Sequence, residues 1–165
     1  MKIPPPIVSA ESPREVFKTY GKNLPIQGGW GYSQADACTI DRNDPVVDLS
    51  VAFDGIAIEY EFIENRIREE MNAAPWKYLD VEWNVGMQYL IHDEGRHFDQ
   101  IFVAVRAIEL EDWKELKAEW NGPYGHGNPE FDHEAHGKKR EAKEIRFERE
   151  FWFDITSFFG KNFSC

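Results

Sequence analysis

The chain has 165 residues, of which 42% are hydrophobic and 15% are aromatic, so it is long enough and apolar enough to bury one core. It carries 30 acidic and 19 basic residues, and the net charge of −11 disfavours contact with nucleic acid or anionic lipid. The composition excludes a disordered tail, and it predicts neither a nucleic-acid nor a membrane partner.

The cellular compartment is predicted from targeting and membrane-spanning patterns that are not found in the sequence. No run of apolar residues is long enough to span a bilayer, and the opening residues are too rich in proline for a signal peptide. The two cysteines, Cys38 and Cys165, do not form a metal-type CxxC pair. The sequence therefore predicts a cytoplasmic protein.

The first predicted elements are an arm and a short helix. Residues 1–11 contain a run of prolines, which predicts an extended N-terminal arm. Ser12 as N-cap, Pro13 at the first helical position and Glu15 two residues later predict a helix that ends near Gly21.

The glycine-rich segment that follows is predicted to be a tight loop. "GGWGYS" lacks the spacing of a dinucleotide-binding loop and the Lys-Ser/Thr of a P-loop, so it does not predict a phosphate site. Glycine would supply positive φ angles there and let Trp30 pack into the core. The alternative is a contact loop that exposes Trp30 and Tyr32 to a ligand or partner.

Strand patterns occur in several later segments, either as alternation of apolar and polar residues or as a continuous apolar run: 37–40, 56–62, 78–85, 100–110 and 145–155. In the last of these, odd-numbered positions from Ile145 to Ile155 are predicted to face the core.

Helix and loop signals fill the gaps between those strands. Acidic residues at its start favour a helix over 111–120. Residues 121–137 are rich in glycine, proline and histidine and are predicted to form a loop. Residues 138–144 are predicted to form either a charged helix or a connection that leads into the last strand. The predicted fold is a single α+β domain over 1–165, with a mostly antiparallel sheet of about four or five strands and two or three helices.

No catalytic motif is found. There is no GxSxG elbow, and Cys38 has no histidine or cation nearby in sequence. His126, His133 and His136 leave a metal site open, although a polar, solvated loop explains them as well. The sequence assigns no catalytic residue, no cofactor and no metal ligand.

The candidate binding residues are carboxylates that alternate with core positions on the predicted strands. If the strands pair as predicted, these side chains share the face of the sheet opposite the core, where like charges repel each other across strands. With one aromatic among them, the candidate partner-binding residues are Glu59, Glu61, Asp80, Glu82, Glu148, Glu150, Trp152 and Asp154.

A small, acidic, aromatic-rich α+β domain without a catalytic motif resembles the immunity proteins of bacterial toxin–immunity pairs. The resemblance implies a stoichiometric inhibitor that binds a cationic toxin domain and blocks its active site or surface. One alternative is a small enzyme or a ligand- or metal-binding protein with a cleft near Trp30, Tyr32 and the histidine-rich loop. A further alternative is a homo-oligomeric structural protein, and a homodimer stays open.

Overall fold

The fold is built on a five-stranded mixed sheet in the computed structural model, which describes residues 3–7 and 9–161. The strands are β1 (Ile26–Gly28), β2 (Cys38–Ile40), β3 (Tyr78–Asp93), β4 (Arg96–Glu109) and β5 (Ile145–Asp154). Their order across the sheet is β1-β2-β5-β4-β3, and every neighbouring pair is antiparallel except β2 and β5.

Four helices accompany the sheet within the described residues: α1 (Pro13–Thr19), α2 (Gly55–Ala73), α3 (Leu110–Asn121) and α4 (His133–Lys143). The predicted α+β class and mostly antiparallel sheet are confirmed, with four helices in place of two or three. At α1 the Ser12 side chain accepts a hydrogen bond from the Glu15 N–H, as the N-cap prediction requires.

The segment 55–73 is a helix, so the strand predicted for 56–62 is wrong. The side chain of Asp54 caps this helix by accepting a backbone hydrogen bond at 3.0 Å. Residues that α2 buries recur at spacings of three and four, as a helix facing a core requires: Glu59, Phe62, Ile63, Arg66, Ile67, Glu70 and Met71. Ile56 and Tyr60, which the strand would have buried, are 60% and 42% exposed.

The core lies between α1, α2 and one side of the sheet. Phe17 of α1 meets Phe62 of α2 edge to face, with ring centroids 5.5 Å apart, and Phe62 meets Phe153 of β5 at 5.2 Å. The predicted alternation of β5 is confirmed, since its buried core positions are Ile145, Phe147, Phe151 and Phe153.

The glycine-rich segment is a tight loop with Trp30 in the core, as predicted. Trp30 is only 5% exposed. Gly31 has φ +81°, and its carbonyl accepts a hydrogen bond from the Trp152 N–H at 2.6 Å, so its backbone runs too close to β5 for a side chain. At Gly29 an added Cβ would lie 1.8 Å from Asp36 Oδ1.

A buried polar network ties α2 to β5 beneath this loop. The Tyr32 hydroxyl donates to Glu70 Oε1 at 2.5 Å, and Arg149 Nε donates to Glu70 Oε2 at 2.9 Å. Arg66 Nε donates to the Tyr32 oxygen at 2.8 Å. Burial first, and the Glu70 carboxylate second, raise the pKa of Tyr32, so the phenol stays protonated.

The N-terminal arm is held by the same network. Arg66 Nη2 donates to the Ile7 carbonyl at 2.8 Å, and Arg149 donates to the Pro4 carbonyl. Within 1–11 the described residues form no helix or strand, in keeping with the predicted extended arm. The buried Arg66 and the half-buried Arg149 therefore fasten the arm to the core.

The predicted loop over 121–137 is shorter than expected. Turns and bends fill 122–130, and α4 begins at His133, where the Asp132 side chain accepts a hydrogen bond from the Ala135 N–H at 3.0 Å. The cap and the helix-favouring residues after Gly137 outweigh the glycine and histidine content that favoured a loop.

Candidate protein-binding surface

The side of the sheet that faces away from α1 and α2, here called the open face, is formed by β3, β4 and β5. Neighbouring side chains alternate between the two sides of a sheet, so every second residue of these strands lies on it. The register places the residues of the open face in five rows: Glu82, Arg106 and Arg146; Asn84, Ala104 and Glu148; Met87, Phe102 and Glu150; Tyr89, Gln100 and Trp152; Ile91, Phe98 and Asp154.

The centre of the open face is apolar and accessible. Met87 is 59% exposed and Tyr89 is 42% exposed. The Tyr89 ring stands edge-on to the half-buried Phe102, with centroids 6.0 Å apart, and the half-buried Trp152 meets Phe98 in the same way at 6.2 Å. Exposed rings and a methionine set among polar groups are typical of the centre of a protein interface.

Glu150 holds the indole of Trp152 in place. Its Oε1 accepts hydrogen bonds from Trp152 Nε1 at 2.5 Å and from Gln100 Nε2 at 2.7 Å. No cation pairs with Glu150 or with the exposed Glu148 in the described part of the chain. Both carboxylates therefore lie beside the aromatic centre without a cationic partner among the described residues.

The sequence predicted that carboxylates of neighbouring strands repel each other on this face, and the rows of the open face show that this prediction is wrong. Glu82 lies opposite Arg106 and makes an ion pair with it, while Glu148 and Glu150 lie opposite Ala104 and Phe102. The register separates the acidic side chains of neighbouring strands, so the destabilisation expected from like charges opposite each other does not arise.

Asp154 lies in the last row of the open face, where it is buried and paired. Arg96 Nη2 donates to Asp154 Oδ2 at 2.6 Å, and the Thr156 hydroxyl donates to Oδ1 at 2.5 Å. Burial acts to raise the pKa of Asp154, but the hydrogen bonds from Thr156 and Arg96 outweigh it and hold the pKa below its usual range. Asp154 is thus a structural carboxylate at the margin of the candidate surface.

The predicted positions of Glu59 and Glu61 on a sheet face are wrong, because both lie on α2. Glu59 is 1% exposed and lies near Asp99, which is on the core side of β4. Burial, then the charge of Asp99, raises the pKa of Glu59 to about 9, so it is protonated at neutral pH. Glu61 is half-buried and pairs with Lys22 at 2.8 Å.

Asp80 is displaced from the open face by an irregularity in β3. The register shifts between Leu79 and Glu82, and Asp80 has φ +54° within that bulge. Its carboxylate makes an ion pair with Arg140 of α4. Asp80 therefore joins the sheet to α4, and its carboxylate is paired with a cation of this chain.

In the part of the chain that the structure describes, Trp30 and the histidines line different pockets, so they do not form the single cleft that was expected near Trp30, Tyr32 and the histidines. Trp30 and Tyr32 lie in the core and its polar network, whereas His126, His133 and His136 gather around Trp120. Across 3–7 and 9–161, no group of three or more His, Cys, Asp or Glu residues is placed to hold a metal ion. Within the same ranges no helix has the length and apolar character needed to cross a bilayer.

The sequence pattern did not predict the part of the open face that β3 forms after Val85. The predicted strand ended at Val85, whereas β3 continues to Asp93. A bulge between Val85 and Met87 shifts the alternation by one residue and hides the period of two. The apolar residues Met87, Tyr89 and Ile91, at every second position after Gly86, were the signal that remained in the sequence.

Comparison of the chain with protein-family models, with curated protein sequences and with solved structures finds no match. Its function is therefore inferred from the geometry and charge of the open face.

Proposed function

We propose that the chain binds a cationic protein domain through its open face and neutralises it stoichiometrically, as immunity proteins do with their toxins. The observation that carries the proposal is the exposed aromatic centre with two carboxylates, Glu148 and Glu150, that pair with no cation in 3–7 or 9–161. The net charge of −11 supports it, because a field of that sign accelerates encounter with a basic domain.

The open face has both the aromatic rings and the carboxylates that binding of a cationic domain requires. Trp152 and Tyr89 supply the large, ordered rings that dominate binding energy at interfaces. Glu148 and Glu150 offer oxygens to lysine and arginine side chains of the partner. If that partner is a basic nuclease, the same carboxylates are suited to the position that a substrate phosphate would take. The cytoplasm remains the compartment in which we expect the encounter.

The first experiment captures the partner and tests the surface. The purified wild-type chain is immobilised and incubated with lysate of its native cell, and the retained protein is identified. We expect a basic partner whose retention is lost with Trp152→Ala and Tyr89→Ala. Tyr124→Ala serves as the matched control, since Tyr124 is 82% exposed and lies outside the open face. An acidic partner, or equal retention by both variants, would refute the proposal.

The second experiment tests the role of charge. Association of the captured partner is followed by stopped flow at several salt concentrations. We expect the association rate to fall steeply above physiological ionic strength, where the screening length is about 8 Å, and dissociation to change less. The double variant Glu148→Gln, Glu150→Gln should flatten this dependence more than Glu111→Gln, Glu134→Gln, which removes the same charge from α3 and α4.

Self-association is a second candidate, favoured by the position of β3. This strand lies at the edge of the described sheet, and its segment from Met87 to Asp93 pairs regularly with β4 on one side only. A long edge strand is a template for pairing with another chain. Sedimentation equilibrium tests it: a dimer that Leu90→Glu dissociates would support pairing through β3, and a monomer at all concentrations would exclude it.

A further inference from the structure

A groove between α3 and α4 lies apart from the aromatic centre of the open face. Trp113, Leu116, Lys117 and Trp120 of α3 line one wall. Their spacing of three and four residues places them on one side of the helix. The groove has a volume of about 560 Å³, within the range of sites that bind small molecules.

The opposite wall shows why the groove is open. His133, His136, Gly137 and Arg140 of α4 face α3, and none of them is a large apolar side chain that would fill the space. A Cβ added to Gly137 would meet no atom within 4 Å. α4 buries no residue. The absence of apolar filling on α4 therefore leaves the indole rings of α3 accessible.

Ion pairs hold the two helices together around the groove. Lys139 pairs with Glu119 at 2.9 Å, and Lys143 pairs with Glu115 at 2.5 Å and with Asp112 at 3.3 Å. These contacts lie outside the residues that line the groove, so they hold the helices side by side without closing the space between them.

Two residues outside the groove hold the Trp120 indole of its α3 wall in place. The ring of His126 stacks on Trp120 with centroids 4.7 Å apart and an interplanar angle of 9°. Phe131 contacts the same indole edge to face at 5.6 Å. A fixed indole offers a flat surface on which another ring can pack at low entropic cost.

The charge of the groove is opposite to that of the chain. Although the chain has 30 acidic residues, none lines the groove, and the two charged side chains that do are Lys117 and Arg140. Arg140 pairs with Asp80 and Glu144, whereas Lys117 has no carboxylate partner within the described ranges. A positive group at the edge of an aromatic wall favours a ligand that is flat, aromatic and anionic.

We propose that the groove binds a flat aromatic carboxylate, with its ring on Trp120 and Trp113 and its carboxylate at Lys117. The ligand is a small molecule and not the partner of the open face. The site needs no metal, and it is separate from the surface to which the proposed function is assigned.

The test compares three probes of one shape by isothermal titration calorimetry: naphthoate, the neutral naphthamide and the cationic naphthylmethylammonium. Naphthoate is expected to bind saturably at one site, naphthamide more weakly and the ammonium compound not at all. Lys117→Gln should weaken naphthoate about fivefold and leave naphthamide unchanged, because only the anion uses the lysine charge. Lys114→Gln, on the same helix but outside the groove, is the control.

The second part of the test uses variants whose new side chain fills the groove. Gly137→Leu should weaken naphthoate more than about tenfold because the new side chain occupies the space, and it should keep or raise helix stability. Gly137→Ala, which adds only one methyl group, should retain binding. Unchanged binding in Gly137→Leu, equal binding of the ammonium probe, or no saturable naphthoate binding at millimolar concentration would each overturn the proposal.

Discussion

Replacing Glu59 with glutamine is expected to stabilise the protein at neutral pH and to remove part of its pH dependence. The structure raises the pKa of Glu59 from 4.5 to about 9, so between these values the folded protein keeps a proton that the unfolded chain releases. Stability therefore falls as pH rises through this range. Each pH unit corresponds to about 1.4 kcal/mol, which makes the cost at pH 7 about 3 kcal/mol.

A glutamine amide at this position is neutral like the protonated carboxyl, and it never loses a proton. Urea denaturation of the wild type and of Glu59→Gln at pH 5, 6, 7 and 8 measures the difference. We expect near-equal stability at pH 5 and a widening advantage for the variant above it. Glu61→Gln is the control on the same helix, since Glu61 is half-buried and paired with Lys22. A difference between wild type and Glu59→Gln that stays constant with pH would refute the reasoning.

Three further substitutions test the core by the same denaturation measurement. Trp30→Ala should cost about 3–5 kcal/mol, because the buried indole leaves a cavity; a near-neutral result would place Trp30 outside the core. Arg149→Met should cost about 3–5 kcal/mol, because it leaves the fully buried Glu70 carboxylate without its cation, and a loss below 1 kcal/mol would contradict the network. Gly29→Ala should cost about 1–3 kcal/mol, since its Cβ would lie 1.8 Å from a carboxylate oxygen, whereas Gly127→Ala, in open space, should cost little.

Local patterns predicted several elements well. Ser12 and Pro13 mark the start of α1, because caps and the first helical turn depend on residues close in sequence. The alternation of β5 identified both its core side and its open side, since a regular strand keeps a period of two. In β3 a bulge interrupts the period of two, and the predicted strand was too short. In α2 the apolar residues fit the period of a strand as well as that of a helix, and the predicted strand was wrong.

The sequence by itself determined the α+β class, the acidic charge and the burial of Trp30 in a glycine-rich loop. Only the tertiary structure decided which carboxylates lie free beside Trp152 and which are buried or paired. Glu59 meets Asp99, and Glu70 meets Arg149, across long separations in the chain. Such contacts depend on strand register and helix packing, which join distant segments and leave no periodic signal in either segment alone.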